Sequence, residues 1–89
     1  MKKLYKFEWD EYRMGTLQGL FIATDKKVAK AMGSSLYFGE VLGKHSEVFG
    51  VLEEGDLEVI SEDPQVLKMF AKLLPDGFGY NPLDYIDGA

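Results

Sequence analysis

Between residues 5 and 10 the chain alternates Tyr5, Phe7 and Trp9 with Lys6, Glu8 and Asp10. Successive side chains of a strand point to opposite faces, so this spacing gathers three large rings on one face and three charges on the other. Rings of that size must be covered, so the strand belongs in a sheet with one face against the core and one in water. The R-M-G turn at residues 13–15 then leads into T-L-Q-G-L-F-I-A. An antiparallel hairpin is predicted over residues 3–12 and 16–23.

Downstream, Thr24 is a helix cap with Asp25 in the first turn, Val28 and Met32 lie one turn apart, and Gly33 follows as a stop. Apolar runs at 36–42, 48–52 and 57–60 are separated by G-K-H-S and E-E-G-D, a pattern that predicts a β-meander. Gly39, Gly43, Gly50 and Gly55 punctuate it, which predicts bulges and a strongly curled sheet. Ser61 or Asp63 caps a second helix opening at Pro64, with Val66, Phe70 and Leu73 as its buried stripe, widened by Leu67, Ala71 and Leu74. Pro75 ends it. The expected fold is α+β in the order ββαβββα: a curled antiparallel sheet of about five strands with two helices packed on one face. All 89 residues read as one domain, with no repeat or linker. Residues 76–89 form an aromatic tail, expected to dock on the domain or on a partner.

The same length limits function. A chain of 89 residues buries only about 60–65% of its unfolded surface, which excludes a large enzyme core. Hydrophobic content of 46% argues against disorder. The absence of Cys removes disulfides, thiolate metal sites and a cysteine nucleophile, and makes a reducing cytoplasm the expected compartment. The opening M-K-K-L-Y-K-F-E-W lacks the continuous apolar core of a signal peptide, and no apolar run approaches the roughly 18–20 residues that span a bilayer. A soluble protein without a membrane partner is expected.

Net charge is −5, unevenly divided. Residues 1–30 carry seven Lys/Arg against four Asp/Glu, whereas residues 31–89 carry three against eleven. Direct nucleic-acid binding is disfavoured, because affinity for a phosphate backbone depends on basic residues that release its counterions.

Four candidate chemistries can be weighed. Residues 39–46, G-E-V-L-G-K-H-S, resemble a phosphate-binding loop but are one spacer short, place His45 where the metal-binding hydroxyl belongs, and lead into a strand instead of a helix. His45, the sole histidine, has Ser46, Glu47 and Glu40 nearby, yet on a strand His45 and Glu47 share a face that Ser46 leaves, so no relay forms from these neighbours. One His, no Cys and carboxylates off the calcium-loop spacing leave metal binding without support, and no cofactor is expected. Glu53, Glu54 and Asp56 occupy a turn that offers no apolar pocket to raise a carboxyl pKa for glycosidase-type chemistry.

A different use suits these carboxylates. Residues 53–63 hold six acids and no base, and Glu53, Glu54, Asp56, Glu58 and Glu62 predict a negative strip able to meet a basic protein surface or imitate a nucleic-acid backbone. Tyr80 and Tyr85, in the turn-rich segment 79–86, are predicted as partner contacts alongside it.

In size, acidity, lack of Cys and lack of a catalytic set the chain resembles small accessory proteins of bacteriophages and mobile elements, anti-CRISPR inhibitors among them. The resemblance is one of overall character and carries over no residue. It implies a non-catalytic inhibitor acting on a protein partner, here one with a basic, nucleic-acid-handling surface. The alternative reading is a structural subunit that self-associates through an edge strand and residues 78–86; a small enzyme built around His45 comes third. Since His45 sits in a glycine-framed turn without convergent partners, His45→Ala should leave the melting temperature and partner binding at wild-type values. Loss of binding with an intact melting curve would give His45 a role.

Overall fold

The computed structural model describes residues 1–10, 15–44 and 47–87. His45 and Ser46, and most of the predicted hairpin turn, lie outside the described residues. The elements are β1 (Lys2–Asp10), β2 (Thr16–Thr24), α1 (Asp25–Ala31), β3 (Ser35–Gly39), β4 (Val48–Val51), β5 (Leu57–Ser61), α2 (Pro64–Leu73) and β6 (Phe78–Gly79). A 3₁₀ turn, Glu54–Asp56, precedes β5, and another, Pro82–Tyr85, follows β6. The class is α+β with antiparallel pairing, and no helix among the described residues is long and apolar enough to cross a membrane.

The hairpin is the one the alternation dictates. Tyr5 pairs with Phe21, Phe7 with Gly19 and Trp9 with Leu17, and all except Gly19 are buried members of the core. Phe7 and Leu17 are completely covered. The local signals at α1 also act as expected. Thr24 Oγ1 accepts from the Lys27 N–H at 3.1 Å, Val28 and Ala31 are buried, and Gly33 follows the helix at φ +82°.

The three middle strands depart from a meander. β3 and β4 pair with each other, with Leu36 of β3 also bridging Ile86, and β5 crosses to the free edge of β1, so a four-stranded sheet ordered β5-β1-β2-β6 stands beside a two-stranded ribbon. The Glu53–Asp56 turn redirects the chain: Glu53 N–H donates to Asp56 Oδ2 at 2.9 Å and Asp56 N–H to the Glu53 carbonyl at 3.0 Å. Pairing β5 with β1 extends the sheet on the second edge of the strand carrying the aromatic face, from Leu4 to Phe7. The expected curl is present locally, as register shifts at Leu4/Tyr5 and at Tyr37/Gly39, where Gly39 has φ +76°.

α2 also differs from its expected role. Asp63 Oδ1 caps it by accepting from Gln65 N–H at 2.9 Å and Pro64 is its first residue, but none of its residues is buried. Val66 is 42% exposed and Leu73 68%, so the stripe read as buried faces solvent or a cleft of about 1220 Å³ between α2 and the rest of the molecule. Periodicity defines an apolar face; it does not supply the surface that covers it.

The segment after α2 returns to the core. Pro82 is buried, Tyr80, Leu83, Tyr85 and Ile86 pack on the main cluster, and Asp87 N–H donates to the Ser35 carbonyl at 2.8 Å. Phe78 remains 61% exposed. β6 approaches β2 closely because Gly19 faces Gly79, and a Cβ on Gly19 would overlap the Tyr80 backbone. Gly19→Ala should therefore destabilise the protein by about 1–3 kcal/mol, read as a lowered urea midpoint. An unchanged midpoint would mean that β6 contributes nothing to the fold.

Candidate functional site

The ribbon is apolar on both faces, and only one of them is covered. Leu36, Phe38 and Val48 point into the core, while Tyr37 and Val51 alternate outward with Phe49. Tyr37 lies opposite Phe49 in the ladder, and their exposures of 44% and 68% leave both rings on the surface, with Val51 beside them. Such neighbouring rings on an antiparallel pair form a rigid apolar platform, the kind of surface that anchors interfaces.

The platform runs into an acidic notch of about 340 Å³. β5 pairs with β1 only from Leu4 to Phe7, so Glu8, Trp9 and Asp10 extend beyond that ladder. Glu53 and Asp56, on the turn before β5, complete the notch with Phe49, Gly50 and Val51. Gly50 brings the ribbon against the indole, since a Cβ there would sit 3.3 Å from Trp9 Cη2. Among the described residues, four acidic and no basic ones line this space, together with Trp9 and Phe49. A guanidinium or ammonium group is the matching guest, through charge-assisted hydrogen bonds and attraction to an aromatic face.

The predicted partner residues separate into three groups. Glu53 and Asp56 are in the notch, with Glu54 exposed beside them on the same turn. Glu58 lies opposite Lys6 in the β1–β5 ladder, and Glu62 Oε1 is 3.6 Å from Lys3 Nζ, so the continuous negative strip is interrupted by cations from β1. Tyr80 and Tyr85 are half-buried against Phe38, at ring distances of 5.8 and 4.5 Å, and pack on the edge of the core. Their apolar surface is used within the chain because Phe38 needs covering.

Glu8, Asp10, Tyr37, Phe49 and Val51 were not singled out as site residues. The signal for the ribbon was present: runs 36–42 and 48–52 place apolar groups at adjacent positions, and a strand of a small domain rarely covers both faces. No such signal existed for Glu8 and Asp10, whose meeting with Glu53 depends on where β5 begins. Among the described residues no group of three or more His, Asp or Glu is placed to hold a metal ion.

The chain matches no known family model, no curated protein and no solved structure.

One local electrostatic feature is directly measurable. Tyr37 Oη donates to Glu47 Oε1 at 3.1 Å, and that hydrogen bond, reinforced by the carboxylate charge, raises the phenol pKa above its ordinary 10.0. A raised pKa favours the neutral phenol in the folded state. Any stability from the contact is fully present below pH 10 and lost as pH rises through the higher folded-state value. In a near-ultraviolet phenolate titration, Glu47→Gln should bring one tyrosine down towards 10.0. An unmoved titration would place Tyr37 away from Glu47 in solution.

Proposed function

We propose that this chain is a non-catalytic, cytoplasmic protein-binding module that inhibits or occupies a basic, nucleic-acid-handling partner. The observation that carries this reading is the joining of an exposed aromatic platform to an acidic notch. Tyr37, Phe49 and Val51 supply the apolar anchor, and Glu8, Glu53 and Asp56 receive an Arg or Lys side chain from the partner. Surrounding carboxylates such as Glu54 steer a positively charged surface towards the site, as complementary potentials do in fast association. A surface of this sign competes with nucleic acid for the same basic groove. The small-accessory-protein character of the chain and its lack of Cys accord with such a role in a reducing compartment.

A second reading, self-association, rests on β5, the edge strand of the larger sheet, where Val59 and Ile60 are 44% and 45% exposed. Glu58 and Glu62 flank these residues and disfavour edge-to-edge pairing by like charge. A mass that rises with concentration in sedimentation would favour this second reading.

Capture from the source cell followed by mass spectrometry identifies the partner; affinity measurements at low and high salt then test the site. Glu8→Lys combined with Glu53→Lys should weaken binding by about tenfold or more, mostly through slower association, and Phe49→Ala should accelerate dissociation. Wild-type affinity should fall as salt rises, since steering is screened over about 8 Å at physiological ionic strength. Circular dichroism controls for folding. Unchanged affinity of the charge-reversed variant, with no salt dependence in the wild type, would reject the notch as the contact.

A further inference from the structure

β2 is paired unevenly on its two sides. β1 accompanies it from Thr16 to Thr24, whereas β6 covers only Gly19 and Leu20. The Gln18 carbonyl accepts from Tyr80 N–H at 3.1 Å, and the Leu20 carbonyl faces Gly77, so the even-numbered peptide groups of β2 point to the β6 side. The opposite edge agrees, because Asp25 N–H donates to the Met1 carbonyl on the β1 side. By this alternation the N–H and C=O of Ile22 point past the end of β6, and no partner among the described residues fills them.

That open edge borders the cleft beside α2. Leu67, Phe70, Ala71 and Leu74 line one side and Leu83 and Ile86 another, with Phe21 to Thr24 of β2 between them. The charge here is opposite to that of the whole chain. Lys2, Lys27, Lys30 and Lys68 line the cleft against Asp76 and Asp84, in a protein whose net charge is −5. An unpaired strand edge calls for an extended backbone, apolar walls for alternate apolar side chains, and a lysine-rich rim for carboxylates. We infer that the cleft is a strand-addition site for an acidic peptide segment of a partner protein, with apolar and acidic residues in alternation, which extends the sheet along β2 beyond β6. This site is separate from the acidic notch and does not depend on it.

The full chain tests this with three probes: a peptide of alternating valine and glutamate, its valine and lysine counterpart, and sodium dodecanoate. The acidic peptide should bind at least about tenfold more tightly than the basic one and should slow hydrogen exchange at the Ile22 amide. Combined Lys27→Glu, Lys30→Glu and Lys68→Glu should reverse the preference between the two peptides. Leu67→Gln, at a half-buried position of a helix with no buried residue, gives an independent variant that should weaken the acidic peptide without reversing the preference. Equal binding of the two peptides, or no protection at Ile22, overturns the inference. So does dodecanoate that protects the cleft where the acidic peptide does not, which would make the guest a small anionic amphiphile. A concentration-dependent mass that disappears with the triple lysine reversal overturns it in favour of a second copy of this chain.

Discussion

The Phe38 ring is the joint on which the arrangement depends. Phe7 stacks on it at 5.8 Å and Trp9 meets it edge-on at 5.3 Å, both from β1; Tyr80 and Tyr85 reach it from the C-terminal segment. One side chain of the small ribbon thus ties together the larger sheet and the returning chain end. Aromatic pairs of this kind add about 0.5–1.5 kcal/mol each beyond the area they bury, which matters in a chain of 89 residues without disulfides. Because Phe38 points inward, Tyr37 and the facing Phe49 must point outward. The packing that holds the fold together is therefore also what exposes the platform.

Charge follows a similar logic. The chain is basic near its start and acidic beyond, but folding redistributes that division. Glu8 and Asp10, from the basic third, join Glu53 and Asp56 in the notch, while Lys68, from the acidic remainder, joins Lys2, Lys27 and Lys30 at the cleft. The result is two surfaces of opposite sign, each beside a sheet edge that its neighbouring strand leaves uncovered. β5 stops short of Glu8 on β1 and β6 stops short of Ile22 on β2. Short flanking strands thus set where each surface lies.

Much of the local structure was legible in the residues. Alternation at Tyr5, Phe7 and Trp9 identified the hairpin and its buried face, and Thr24 and the Ser61-or-Asp63 choice marked both helix starts, of which Thr24 and Asp63 accept free N–H bonds of the first turn. These features depend on neighbours within a few positions. The association of β5 with β1 instead of β4 was not legible, since an apolar run of that length pairs with whichever edge the preceding turn directs it to. Nor was the exposure of α2, because it depends on which distant surfaces are already covered.

The sequence by itself determined the α+β class, the hairpin, the helix boundaries, the lack of thiol chemistry and the presence of a dense acidic turn. All of these follow from side-chain spacing, backbone preference and composition, which act locally. Tertiary structure alone decided that Glu53 and Asp56 stand with Glu8 and Asp10 while Glu58 lies across from Lys6 and Glu62 meets Lys3. It also decided that one ribbon face is buried and the other open. The physical reason is that strand alternation states which residues share a face, whereas burial and charge pairing depend on ladder partners far apart in the chain, chosen by the packing around Phe38.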